Sequence, residues 1–319
     1  MKIFITIVSF LFAASCYSQI TTITAKEKEE PKVEVQKYDS LENLNNKNLL
    51  LHEGQTLFLQ GGKYAKENNY YRVFYTNIVP KDSLDNDSYV YKPIAGKGKE
   101  IVSSYSELVG KYYKILSIQV GKTSPYQTTY WFQLVGDDKT PFYFRWQLAN
   151  INYTTTTDFI TLGYYEKMKQ IFVGKEFYSI SSMERPKVDS KETIKTPHKT
   201  KFKCVDIAVN VGEDDPPFAV LENAQYGKIK GEIIKGPRLH MFVSISAYNE
   251  YIKKYGTKFG SSVAEGSIEI GMNKKMVRDA WGAPDHVNTT TGSYGTHEQW
   301  IYGDSYLYFK NGIVTSKQN

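Results

Sequence analysis

Ser267-Ile268-Glu269-Ile270-Gly271-Met272, Ala280-Trp281-Gly282-Ala283-Pro284, Glu298-Gln299-Trp300-Ile301-Tyr302, Tyr306-Leu307-Tyr308-Phe309 and Asn311-Gly312 follow one another within residues 267–316. Together they read as one helix-plus-hairpin module. Asn273 stands where an N-cap belongs, its side-chain oxygen available to an orphan amide of the first helical turn. Met276, Val277, Ala280 and Trp281 recur at helical spacing, so one face is apolar. Gly282 falls where a left-handed C-cap residue is needed, and Pro284 blocks continuation. Thr289–Thr291 is β-branched and runs into the turn signal Gly292-Ser293-Tyr294-Gly295. Trp300 and Tyr302 share a face of the next strand. Gly303-Asp304 turns the chain into Ser305–Phe309, and Asn311-Gly312 is a two-residue hairpin signal before Ile313. The expectation is a helix packed on a three-stranded antiparallel meander.

A longer helix precedes it in this reading. Tyr248, Tyr251, Ile252, Tyr255, Phe259 and Val263 form one stripe, with Ser246 at its start. Gly256 and Gly260 leave one side bare, at a cost of roughly 1 kcal/mol each against alanine, which close approach of another element would offset. The Gly-Met, Trp-Gly-x-Pro, Trp-x-Tyr, Tyr-x-Phe and Gly spacing over about 70 residues, 247–316, resembles the SmpA/OmlA (BamE-like) outer-membrane assembly family. The resemblance implies a helix-helix-three-strand fold and a role in assembly or protein–protein contact at the outer membrane, near the barrel-assembly machinery, with phospholipid contact. Members of that family are short lipoproteins, whereas here the pattern is the tail of a 319-residue chain.

The opposite end of the chain implies export. Lys2 precedes an apolar run, Ile3 to Ala14, too short to span a bilayer. Ala13-Ala14-Ser15-Cys16 reads as a lipobox with Cys16 lipidated. Cys16-Tyr17-Ser18 before Gln19 reads as an ordinary cleavage site, and fits better because a lipobox favours a branched aliphatic residue where Ala13 stands. Either places the chain in the periplasm or at the outer membrane, with a lipid anchor only in the first case. Later residues contain no apolar run long enough for a transmembrane span. Ile20 to Asn48 is polar and rich in lysine and glutamate, a tether rather than a domain.

Between tether and tail, 26 tyrosines and 16 phenylalanines favour strands. Val109-Gly110-Lys111-Tyr112-Tyr113 recurs 64 residues later as Val173-Gly174-Lys175-Glu176-Phe177, and Val135-Gly136-Asp137-Asp138 recurs 76 residues later as Val211-Gly212-Glu213-Asp214. Glu53-Gly54-Gln55-Thr56-Leu57-Phe58 opens a more degenerate copy. The fold class is therefore α+β, mainly β: tandem small antiparallel β modules at 49–100, 101–160 and 161–238, and the tail module at 239–319. SH3-like barrels are one topology compatible with such units, but the residues do not select it.

Candidate chemistry is sparse. Lys203-Cys204-Val205-Asp206-Ile207-Ala208-Val209 alternates so that Val205, Ile207, Val209 and Val211 form a core face and Cys204 points to the other; a nucleophilic thiol would need a positioned histidine, and His198 and His240 are the nearest in sequence. The turns at Asp137-Asp138 and Glu213–Asp215 read as solvated hairpin turns, not calcium sites, which require six or more oxygens. Five histidines without metal-ligand spacing give no zinc site, and no cofactor motif is present. The lysines at 191, 195, 199, 201 and 203, with Lys228, Lys230, Lys235 and Arg238 nearby in sequence, read as a solvated loop, with contact to anionic lipid or lipopolysaccharide as the sharper alternative. Net charge is +6, about +5 once Lys2 is removed, which with export argues against nucleic acid. Trp281, Trp300, Tyr302, Tyr308 and Phe309 read as core. Tyr294, at a loop tip, is the one candidate contact residue. Two functions remain: a non-enzymatic envelope protein whose tail contacts a protein partner, or an envelope binding protein whose β modules recognise wall glycan or an anionic ligand.

Overall fold

The computed structural model describes residues 37–79, 89–94, 102–149, 156–234 and 238–318. The processing positions Cys16, Ser18 and Gln19 lie outside them. The end of the expected tether does not: Leu44 is fully buried, and Asn43 donates to the Phe159 carbonyl and accepts from the Thr161 amide. The folded unit therefore begins near Lys37, ahead of the boundary expected at 48.

After a 3-10 turn at Leu49–His52 the chain runs through β1 (Thr56–Leu59), α1 (Lys63–Asn68), β2 (Tyr70–Tyr71), β3 (Phe74–Tyr75), β4 (Ser103–Ser104) and α2 (Tyr105–Leu108). Then come β5 (Tyr112–Thr123), β6 (Gln127–Val135), β7 (Pro141–Ala149) and β8 (Phe159–Thr161). One antiparallel sheet has the order β3-β7-β6-β5-β1-β8, while β2 pairs separately with β4. This single sheet draws strands from both the 49–100 and the 101–160 segments that the sequence reading set apart. In β7, Phe142, Phe144, Trp146 and Leu148 all point inward, the period-2 alternation of a half-buried strand. They close over Leu57, Leu59, Ile115 and Phe132.

Helix α3 (Leu162–Phe172) leads into β9 (Glu176–Ser179), β10 (Met183–Pro186), β11 (Thr193–Thr196), β12 (Lys201–Ala208), β13 (Phe218–Asn223), β14 (Gly227–Ile234), β15 (Arg238–Leu239) and β16 (Phe242–Ser244). The second sheet has the order β15-β14-β13-β12-β9-β16. In each sheet the first strand lies between the second and the fifth, so β1, β5, β6, β7, β8 correspond to β9, β12, β13, β14, β16. Strand β16 extends the second unit past the boundary expected at 238.

This correspondence changes the internal repeat. Gly54 N–H bonds the Ile115 carbonyl and Ile115 N–H the Gln55 carbonyl; Gly174 and Lys175 exchange the same pair with Cys204. Gly54, not Gly110, is therefore the counterpart of Gly174. All three glycines have φ between 74° and 85° and follow the end of a helix or helical turn. The shared Val-Gly-Lys marks a helix-to-strand junction, a local requirement for positive φ that recurs wherever such a junction occurs. The acidic turns are likewise not equivalent, since one joins β6 to β7 and the other β12 to β13.

Cys204 also differs from its expected face. A bulge between Cys204 and Asp206 inserts Val205 as an extra residue, which flips the alternation. Phe202, Cys204 and Ile207 are buried, while Val211 is exposed. The Cys204 thiol bonds the Asp206 carbonyl, and burial pushes its pKa up to about 11, away from nucleophilic use.

The tail comprises α4 (Ile245–Ala264), α5 (Lys274–Trp281), β17 (His286–Gly292), β18 (Gly295–Tyr302), β19 (Ser305–Lys310) and β20 (Ile313–Gln318). Its sheet has four strands in sequential order, one more than expected, because the Asn311-Gly312 hairpin adds a full β20. Asn311 and Gly312 take φ of 51° and 80°, the left-handed pair that a two-residue hairpin requires. Asn273 caps α5 by accepting from Met276 N–H. Ser244, not Ser246, caps α4, accepting from Ala247 N–H. Helix α4 is broken at Gly256, with φ 74° and ψ 167°. Its two halves fold together, and the backbone of Gly260 meets that of Tyr251 and Ile252. Val263, Met272, Val277, Trp300, Leu307 and Phe309 form the tail core. Trp281 and Tyr302 pack at its edge, half-buried.

Candidate ligand pocket

Strand β3 pairs with β7 only at Phe74 and Tyr75. Arg145 N–H still reaches the Val73 carbonyl, but the chain before it departs as β2 to pair with β4. On the far side of the sheet, β8 is held by β1. Among the described residues, a gap lies between β7 and Thr156–Phe159, the approach to β8. It is a cavity of about 320 Å3.

The floor is aromatic. Phe74, Phe144 and Phe159 lie 5.0 to 6.2 Å apart between ring centres, and Trp146 extends the surface. Arg145 and Gln147, whose side chains lie on the other face of β7, and Thr156, Thr157 and Asp158 complete the lining. Tyr71 stacks on Tyr105 at 5.5 Å and meets Phe74 edge-on. Its hydroxyl is buried without a hydrogen-bond partner, as is Nε of Arg145. Burial pushes the Tyr71 phenol well above its usual pKa. Burial also raises the Asp158 carboxyl, opposed by a hydrogen bond from Gly62 N–H and reinforced by the nearby Asp214.

The acidic loop of the second sheet holds the back of this site. Gln60 N–H bonds the Asp158 carbonyl, and the Gln60 carbonyl accepts from Gly212 N–H. The Gln60 side-chain amide donates to the carbonyls of Glu213 and Asp215, at 2.9 and 2.8 Å. Asp214 accepts from Lys63 N–H, and Lys66 pairs with Glu213 at 2.9 Å. A side chain at Gly62 would run into both Asp158 and Asp214, about 3 Å away, which explains glycine at that position. The turn expected to be solvated is thus a clamp between the two sheets. The other acidic turn is also engaged: the hydrogen bond from Thr140 N–H leads in holding the Asp138 carboxyl below the usual range, helped by the Tyr91 hydroxyl and by Lys92 at 3.4 Å.

Tyr294 is highly exposed, 85 %, at the turn between β17 and β18, remote in sequence from every residue that lines the pocket. Trp300 and Phe309 are core and offer no binding platform. Part of the basic stretch is paired: Lys201 with Glu176, Lys199 with Glu265, Lys228 with Glu222 and Lys230 with Asp215. Among the described residues no group of three or more His, Cys, Asp or Glu is placed to hold a metal ion, and no helix is long and apolar enough to cross a membrane. Sequence reasoning missed Tyr71, Arg145 and Asp158. The one signal available was Arg145 itself, the sole charge in the aromatic strand Pro141–Ala149. Comparison with protein-family models, with curated proteins and with solved structures gives no match for this chain.

Proposed function

We propose that this chain is an exported, non-enzymatic binding protein of the cell envelope, and that the gap beside β7 is its ligand site. The observation that carries the reading is an aromatic cavity whose lining includes a buried Tyr71 hydroxyl without a hydrogen-bond partner among the described residues. The shared strand order, with the first strand between the second and fifth, is that of SH3-like barrels, a binding scaffold more often than a catalytic one. The clamp at Gln60 fixes the second unit against the first, so the second acts as a rigid support. Export rests on the Lys2–Gln19 pattern, and an envelope ligand such as a wall glycan or its peptide follows from that compartment.

Titrating soluble cell-wall fragments into the full-length chain while following tryptophan fluorescence tests this. Saturable binding that is lost in Trp146→Leu, with the fold retained by circular dichroism, is the expected result. Failure of all wall fragments to bind would remove the reading. A second reading, the SmpA/OmlA-like contact role of residues 247–316, is favoured by the exposure of Tyr294. A cross-linked pull-down that recovers barrel-assembly proteins with the wild type and not with Tyr294→Ala would support it.

A further inference from the structure

We propose that β17 is a docking edge for a second copy of this chain. Two tails join through antiparallel β17–β17 pairing, so that their four-stranded sheets become one continuous sheet. This contact is independent of the pocket beside β7.

Strand β17 lies at one end of the tail sheet, and all of its residues, His286 to Gly292, are exposed. Its register against β18 is unbroken from His286–Ile301 to Gly292–Gly295. Along an antiparallel pair, residues that exchange both backbone bonds alternate with residues whose N–H and carbonyl turn outward. Thr296 settles which are which. Its carbonyl accepts from Asn311 N–H and its own N–H donates to the Asn311 side chain, so its backbone faces away from β17. Thr291, opposite it, therefore turns its N–H and carbonyl to the outer edge, and Thr289 and Val287 follow by twos. The Thr291 and Thr296 hydroxyls lie 3.4 Å apart, in keeping with the close approach of a pair that is not hydrogen-bonded through the backbone. Among the described residues no strand covers this edge.

Edge strands are ordinarily short, charged, bulged or interrupted by proline, because a row of unpaired backbone groups invites another strand. The other edges of the three large sheets obey that rule. Strands β3 and β15 have two residues each, and β8 and β16 three. Strand β20, at the opposite end of the tail sheet, carries Lys317 and a register irregularity against β19. Strand β17 has none of these devices. It has seven residues, without lysine, arginine, carboxylate or proline, and Val287, Thr289, Thr290 and Thr291 are β-branched.

Symmetry and charge select a second copy as the occupant. Pairing about Thr289 sets outward residues against outward residues: Val287 against Thr291 of the second copy, Thr289 against Thr289, and Thr291 against Val287. Each of these pairs can exchange both backbone bonds, and a shift of register in either direction loses a pair. On the same face, β-branched side chains then meet β-branched side chains, a favourable cross-strand match. The whole chain carries a formal charge of +6, so two copies repel over most of their surfaces. Strand β17 brings no like charges into opposition. Because β20 is guarded, a two-fold contact uses the open edge of both copies and closes at a dimer.

The test is sedimentation equilibrium of the full-length protein, combined with amide hydrogen exchange. One strand edge is a small interface, of the transient class below about 1,200 Å2, so the mass is expected to rise from one chain toward two between about 10 µM and 1 mM. Over that range the amides of Val287, Thr289 and Thr291 are expected to exchange several-fold more slowly, while those of Asn288 and Thr290, which face β18, change little. Thr289→Lys sets two ammonium groups against each other at the two-fold axis and is expected to abolish the dimer, as is Thr289→Glu. An equimolar mixture of the two variants is expected to restore it. Thr289→Pro removes only an outward N–H, leaves the ladder to β18 intact, and is expected to give a monomer. The wild-type exchange pattern decides the matter even if a variant fails to fold. A wild type that stays monomeric at about 1 mM, a species larger than a dimer, or a dimer in which the Thr289 amide is unchanged overturns the proposal. So does a mixture of folded Lys and Glu variants that stays monomeric. A monomer that takes up an extended β-branched peptide at this edge instead overturns the second copy as its occupant.

Discussion

Gly260→Ala sets two physical effects against each other in one helix. In an isolated helix the change is favourable, since alanine exceeds glycine in helix propensity by about 1 kcal/mol. In this tail it is expected to destabilise. The break at Gly256 folds the second half of α4 back so that Gly260 lies against the first half. A Cβ at position 260 would stand 2.6 Å from Ile252 Cα and closer still to the Tyr251 carbonyl oxygen. Both obstructing atoms are backbone, so no rotamer change relieves the contact and the two halves must separate. Overpacking of that kind costs about 1–3 kcal/mol, and the separation also pulls Phe259 and Val263 from their contacts with the tail core. After the propensity gain, the net loss is about 1–2 kcal/mol. For a module of this size each kcal/mol is about 4–8 °C in Tm, which scanning calorimetry resolves for the tail transition. Gly256→Ala is the companion. Its Cβ meets open space, yet φ 74° and ψ 167° is a region essentially reserved for glycine, so a loss of about 1–3 kcal/mol comes from backbone strain alone. A Gly260→Ala protein at or above the wild-type Tm would refute the folded-back helix.

Three further outcomes are expected. Trp300→Ala removes a fully buried indole and costs about 3–5 kcal/mol, whereas Trp281→Ala, at the edge of the core, loses partial packing and the indole N–H bond to the Gly266 carbonyl, about 1–2 kcal/mol; urea unfolding of the two variants gives the ranking. Gln60→Ala deletes two hydrogen bonds to the acidic loop and leaves two carbonyls unmatched, about 2–3 kcal/mol, and is expected to split one calorimetric transition of the paired β units into two. Glu298 accepts from Lys274 and from the Trp300 indole, and the Lys274 contact leads in holding its carboxyl below the ordinary 4.5. A depressed carboxyl stabilises the fold above its unfolded value and loses that contribution as pH falls through the folded value. Tm of the tail should therefore drop below pH 4.5 in the wild type and drop less in Glu298→Gln.

The tail was the legible part of the sequence because its signals are local. An Asn cap, a stop glycine and an Asn-Gly hairpin each act over two to four residues, and each is where the residues placed it. What failed there also has a local cause: Gly256 reads as one more helical residue, and only its backbone angles reveal a break. Cys204 shows the limit of counting by twos. One extra residue at Val205 transfers every later side chain to the opposite face, and nothing in an alternating valine run announces a bulge. The repeat misled for a related reason, since helix-glycine-strand is a junction and recurs at non-equivalent junctions.

The pocket was illegible on different grounds. Its walls come from β1, β2, β3, β7 and the approach to β8, so residues 59 to 159 converge only after the sheet has formed. Two arginines make the point. Arg145 lies in an aromatic strand and Arg185 in a short polar one, and sequence treats each as a charge that must reach solvent. In the fold Arg185 is buried and Arg145 half-buried. Arg185 finds two hydroxyls and a carbonyl because β9, β11 and the β15–β16 turn supply them. Arg145 lies over the Tyr75 ring at 5.6 Å, on the face of β7 opposite Phe144 and Trp146. A single sequence shows neither outcome, because what an arginine meets is set by which distant strands the topology brings beside it, and that is decided only when the sheets form.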